Sequence, residues 1–181
     1  GAYPNAVRVV NGANLDKAIL KKGISIVSNN PVYLVGNFNT NSVVTTVSSV
    51  PWTPALVAGD KVALISRDWA DSRSRWDQAP SATNRRAANT TYHTAMLHEP
   101  SDTLTVLSED WSGRDLIVNG SMVYGYNAVY ALHDNVCCGN ATYDPPDRTF
   151  NFDPHFGLIT NQPPGTPVFP ISAIAVWTKA Q

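Results

Sequence analysis

The stretch Gly23-Ile24-Ser25-Ile26-Val27-Ser28-Asn29-Asn30-Pro31-Val32-Tyr33-Leu34-Val35-Gly36-Asn37 sets the reading of the fold. It holds two four-residue runs rich in β-branched residues, which suit a pleated backbone better than a helix. Asn29-Asn30-Pro31 between them is turn chemistry, and Gly36-Asn37 ends the second run. Val32-Tyr33-Leu34-Val35 is apolar without strict alternation. A strand of that kind is suited to burial on both faces, as in parallel sheets.

Further runs extend the pattern in both directions. Val7 to Val10, Val43 to Val50, Lys61 to Ser66, Thr90 to Leu97, Thr103 to Leu107 and Leu116 to Tyr126 all read as strands. Helix signals are sparse. Asn14 to Leu20 is a short candidate capped by Asn14, and Ser81 to Ala88 is a weaker one. Short strands without intervening helices leave two architectures, a parallel solenoid of stacked coils or an antiparallel sandwich of hairpins. Asn-Gly pairs occur at Asn11-Gly12 and Asn119-Gly120, but no regular ladder of two-residue turns accompanies them. The expectation is therefore a mainly β chain: a small parallel β-solenoid-like core over residues 1–127, with the antiparallel β-sandwich as the alternative. Residues 128–181 read as an irregular arm rich in proline and aromatics, packed on that core within one structural domain. Asp144-Pro145-Pro146-Asp147 and the proline-rich run from Asn161 to Pro167 cannot be central strands. Tyr130, Tyr143, Phe150, Phe152 and Phe156 are the rings expected to pin the arm, and Ile171 to Trp177 is a candidate last strand.

The 181 residues bear a net charge of −1, and only 15% are charged against 43% hydrophobic. An average soluble domain carries about 25% charged residues. At this length roughly 70% of the unfolded surface is buried on folding, so a core forms without staples. Arg67, Arg73, Arg75, Arg85 and Arg86 are interrupted by Asp68, Asp71 and Asp77, which argues against nucleic acid as a partner. No apolar run approaches the ~18 residues of a membrane span.

An ordered series of blocks resembles the C-terminal region of bacterial PilX-like pilus assembly proteins, surface proteins with a prepilin-type start. Gly23 to Asn39 carries the first block. Val62 to Trp69 with Asp71 and Ser72, Asn89 to Leu97, Glu109 to Gly113 and Gly120-Ser121 follow. Cys137-Cys138, Tyr143, Pro145-Pro146, Arg148, Asp153 and Pro164-Gly165-Thr166-Pro167 complete the series. His93 departs from the pattern, where Asn is commoner. The chain has no hydrophobic pilin helix, so it would be the exported globular part alone. The resemblance implies a non-enzymatic structural, assembly or adhesion role outside the cell or on its surface, with other pilus or surface subunits as partners. It implies no catalytic residues.

Cys137-Cys138 is the most unusual local feature. Adjacent Cα atoms lie about 3.8 Å apart, whereas the usual disulfide span is about 4.4–6.8 Å. A vicinal disulfide is thus a strained ring; free thiols and intermolecular pairing remain open beside it. Asp144, Asp147 and Asp153, with Asp134, His133 and His155 nearby, are oxygen-rich candidates for Ca2+, against the plainer reading of aspartates at turns. No other cofactor is expected. Glu109 and Asp110 are adjacent and cannot face one sugar from opposite sides. No G-x-S-x-G or H-E-x-x-H occurs. Trp69 and Trp111 each follow a Ser-x-x segment. With Arg85 and Arg86 they form a candidate binding surface for glycans or a partner, against the reading that both indoles close the core. A carbohydrate-binding or polysaccharide-cleaving solenoid, using Asp68, Asp71, Arg85 and Arg86, is the alternative function.

Overall fold

The structure is a computed structural model. It describes residues 5–15, 20, 22–40, 52–70, 72, 85–98, 105–106, 109–124 and 145–166. Among the described residues nine strands run β1 Val7–Val9, β2 Ile24–Val27, β3 Val32–Val35, β4 Ala55–Ala58, β5 Val62–Ile65, β6 Thr90–His98, β7 Thr105–Val106, β8 Asp115–Tyr124 and β9 Asp147–Phe152. Two short 3-10 turns, Pro154–Gly157 and Ile159–Asn161, follow β9.

The strands form two sheets. Sheet A has the order β1-β3-β5-β7 and sheet B the order β2-β4-β6-β8-β9. Up to β8, each strand therefore lies in the sheet opposite its predecessor and pairs with the strand two places along the chain. Every pair is parallel. That pairing excludes the antiparallel sandwich for the described strands, because hairpin neighbours would be hydrogen-bonded to each other.

Period-two alternation assigns the faces. Val32, Leu34, Val62 and Leu64 of sheet A meet Ala55, Val57, Tyr92, Met96, Leu116 and Val118 of sheet B in one buried cluster. Each aliphatic side chain of this kind contributes roughly 1.5–3 kcal/mol on full burial. The Tyr92 hydroxyl crosses the core and donates to the Ile65 carbonyl at 2.8 Å, so the ring is buried without orphaning its polar end. All four residues of β5 are buried, as the unbroken apolar run implies, whereas β3 alternates between buried and half-buried.

Two further residues hold the layers in register. Asn39 occupies the left-handed region at φ 54, and its amide donates to the Thr53 carbonyl at 2.8 Å and the His93 carbonyl at 3.0 Å. It thereby joins the turn after β3 to β6 and to the approach to β4. Gly120 sits mid-strand in β8, where an added Cβ would lie 1.9 Å from the Thr94 carbonyl oxygen. Only glycine allows β6 and β8 to approach there.

Several sequence expectations need correction. β4 was not among the expected strands; Pro51 and Pro54 disguise it, yet Ala55-Leu56-Val57-Ala58 pairs with both β2 and β6. Of Ser81–Ala88, residues 85–88 are described and are not helical, since Arg86 bridges Asp110 in parallel. Asp147–Phe152, assigned to the arm, is a strand that extends sheet B. It begins directly after Pro145-Pro146 and lies at the sheet edge, where preceding prolines do no harm. Val43–Val50, residues 16–19 of the Asn14–Leu20 candidate and Ile171–Trp177 lie outside the described residues.

Candidate functional site

Three constellations stand out. The first is the end of sheet B at β9. Asp147 N–H donates to the Arg114 carbonyl at 2.9 Å and Asp153 N–H to the Gly120 carbonyl at 3.1 Å, which sets β9 against β8. Arg148, Phe150 and Phe152 are in register with Leu116, Val118 and Gly120. They therefore occupy the core-facing side of the sheet. No described strand of sheet A stands opposite them, and Phe150 and Phe152 are 50% and 62% exposed. Large apolar side chains at core positions without a covering layer mark an interaction surface. The opposite side of the sheet carries two polar rows at this end. His93, Asn119 and Asn151 occupy one register row. The Asn119 amide meets His93 Nε2 at 2.8 Å, and the Asn151 amide donates to Asn119 Oδ1 at 2.8 Å. A second row begins with Asn89 and Asp115, which exchange two hydrogen bonds, and continues to Asp147.

The second constellation fastens the chain after β9. Asp153, almost fully buried, accepts from Trp52 Nε1 at 2.8 Å and from the His155 backbone at 2.9 Å, and lies 2.7 Å from His155 Nδ1. The His155 ring stacks on Trp52 at 4.8 Å, and Phe156 meets the same indole edge-on at 5.4 Å. Further along, the Ser25 hydroxyl donates to the Pro164 carbonyl. Ser25 belongs to the outer row with Leu56 and Ala95. The segment from Asp153 to Thr166 therefore straps the outer face of sheet B from β9 back to β2.

The third is a buried corner. Glu109 is 1% exposed; it accepts from Ser66 N–H at 2.9 Å and from the Ser66 hydroxyl at 2.5 Å. Burial pushes its carboxyl up to about 7, against the two Ser66 hydrogen bonds and with some help from Asp68. The Tyr92 phenol is driven well above its ordinary range by burial and then by Glu109, with its bond to Ile65 opposing. Glu109 thus ties the turn after β5 to the turn after β7.

The predicted site residues separate on this frame. Trp111 is fully buried in the core cluster and Arg85 is 5% exposed, so neither forms a surface. Trp69 is half-buried and Arg86 exposed. The binding surface drawn from these four residues is therefore not assembled. Asp68 is exposed beside Arg67 at 3.4 Å. Asp147 faces solvent at the start of β9, while Asp153 is consumed by Trp52 and His155 beyond its end, about 20 Å along the chain at strand rise. Those two aspartates cannot share a calcium ion. No cluster of three or more His, Cys, Asp or Glu suited to a metal occurs among the described residues. Asp144, Asp134, His133, Asp71, Cys137 and Cys138 lie outside them. The Trp52–Asp153–His155 cluster was missed at the sequence level, because 101 residues separate Trp52 from Asp153.

No protein-family model, no curated protein and no solved structure matches the chain. No helix among the described residues is long and apolar enough to cross a membrane.

Proposed function

We propose that the chain is a non-enzymatic structural domain of an exported bacterial surface protein, pilus-related, built as a small parallel β-solenoid that assembles through the end of its strand stack. The alternation of successive strands between two parallel sheets supports the solenoid. The observation that carries the assembly reading is β9, an edge strand with Phe150 and Phe152 exposed on its core-facing side. Edge strands invite strand addition, and an apolar face beside the edge gives it affinity. The block resemblance to PilX-like proteins supports the surface location and the other surface subunits as partners.

The test is to follow wild-type chain and the double variant Phe150→Ser/Phe152→Ser in cells. The wild type should fractionate with assembled surface material. The variant should be exported and folded but lost from that material. Cytosolic wild type, or a variant that is retained like the wild type, would count against the proposal. Adhesion to a host or to other cells would follow from the same surface.

A second reading is glycan binding on the outer face of β6, β8 and β9. The rows His93–Asn119–Asn151 and Asn89–Asp115–Asp147 offer amide, imidazole and carboxylate groups at strand spacing, about 4.8 Å apart. Saturable binding on a glycan array that disappears in Asn119→Ala would favour this reading over assembly.

A further inference from the structure

The two edges of sheet B match in geometry, and the sequence segments that hold their edge strands differ in net charge. Residues 1–30, which contain β1 and β2, hold Arg8, Lys17, Lys21 and Lys22 against Asp16, a net +3. Residues 127–166, which contain β9, hold Asp134, Asp144, Asp147 and Asp153 against Arg148, a net −3. The first and last strands of the sheet therefore lie in segments of opposite sign. Lys22 at one end and Asp147 at the other are exposed.

The backbone agrees with the charges. Ile24 N–H and Ser28 N–H donate toward β4, through the Pro54 and Ala58 carbonyls. By alternation the N–H groups of Ser25 and Val27 point to the opposite edge of the sheet. At the far end, Asp147 and Asp153 donate toward β8, so the N–H groups of Phe150 and Phe152 point outward. Both edges run in the same direction because every pair in the sheet is parallel. The β2 edge carries Ile24 and Ile26 on the core-facing side, packed against the buried cluster but only partly covered. They lie in the position to receive Phe150 and Phe152.

Building on the assembly reading above, we propose that the partner at β9 is a second copy of this chain, docked head to tail with its β2 edge continuing the parallel sheet. Such a contact joins unlike surfaces. It does not close on itself, and it grows by repeated addition. Asp153 is buried against Trp52 and His155 and adds nothing to steering; the remaining opposite net charge of the two segments favours unlike over like pairing.

Sedimentation of the purified chain tests this with two singly blocked variants. Phe150→Ser/Phe152→Ser blocks the β9 end. Val27→Pro blocks the β2 edge at an N–H that faces away from β4, and Val27→Asp replaces it if the proline variant does not fold by circular dichroism. Wild type should increase in mass with concentration, without stopping at a dimer, and should dissociate as salt is raised. Each blocked variant should remain monomeric alone, and the two mixed should form a one-to-one pair. A wild type that stays monomeric at every concentration, or a Val27→Pro chain that dimerises by itself, overturns the proposal. Monomeric wild type together with loss of the Phe150→Ser/Phe152→Ser variant from surface assemblies overturns only the second-copy inference. Unchanged incorporation of that variant removes the assembly reading beneath it.

Discussion

Glu109 shows how one side chain carries conflicting demands. Its hydrogen bonds to Ser66 favour the ionised carboxylate, yet burial outweighs them and raises the carboxyl from 4.5 to about 7. The folded chain therefore binds more protons than the unfolded chain between those values. The contribution of Glu109 is fully present below about 4.5 and is lost as pH rises through about 7. Denaturant titrations at several pH values should show stability falling across that window, by up to roughly 3 kcal/mol for a shift of this size. Glu109→Gln should flatten the profile while keeping a partner for Ser66. A slope that persists in the Gln variant would place its origin elsewhere. At Gly120 the issue is space. Gly120→Ala would press a methyl onto the Thr94 carbonyl and should cost about 3 kcal/mol or more, read from the shift in the urea midpoint. His93 and Glu109 were visible as residues in the sequence, but their settings were not. Burial and partners 26 and 43 residues away belong to the fold.

Among the elements, the strap after β9 depends on a small set of contacts. Asp153 receives two backbone or indole N–H groups and lies against the His155 ring. Asp153→Ala would leave Trp52 Nε1 without its acceptor in a buried setting, at a cost of about 2–4 kcal/mol. Limited proteolysis should then cut between residues 153 and 166 before the strands are attacked. Equal resistance in wild type and variant would show that Ser25 and Phe156 hold the strap without Asp153. The strand runs themselves were legible. Ile24–Val27 and Val32–Val35 are found where the β-branched runs and turn residues placed them. β4 and β9 were not, because prolines beside them argue against a strand and only pairing at a particular edge or register removes the objection.

For the molecule as a whole, the two edges of sheet B are unlike. Phe150 and Phe152 face solvent, so the Phe150→Ser/Phe152→Ser variant should leave monomer stability within about 0.5 kcal/mol of wild type. Thermal unfolding at low protein concentration checks this. A larger loss would show that the rings are held by the chain's own fold and do not await a partner. Dependence of the wild-type midpoint on concentration, absent from the variant, is the corresponding sign of association.

By itself the sequence determined the local states. Among the described residues the valine- and isoleucine-rich runs are strands, Asn29-Asn30-Pro31 is a bend between two of them, and helix is nearly absent, because these preferences come from side-chain sterics within a few residues. It also established the apolar continuity that let β5 be buried on both faces. The tertiary structure alone decided which strands are neighbours, that up to β8 each pairs in parallel with the strand two places away while β9 joins β8, and that Trp111 and Arg85 lie inside while Phe150 and Phe152 lie out. Those outcomes depend on what is stacked above and below each strand. Two aromatic residues of equal hydrophobicity are core or surface according to whether another layer of chain covers them.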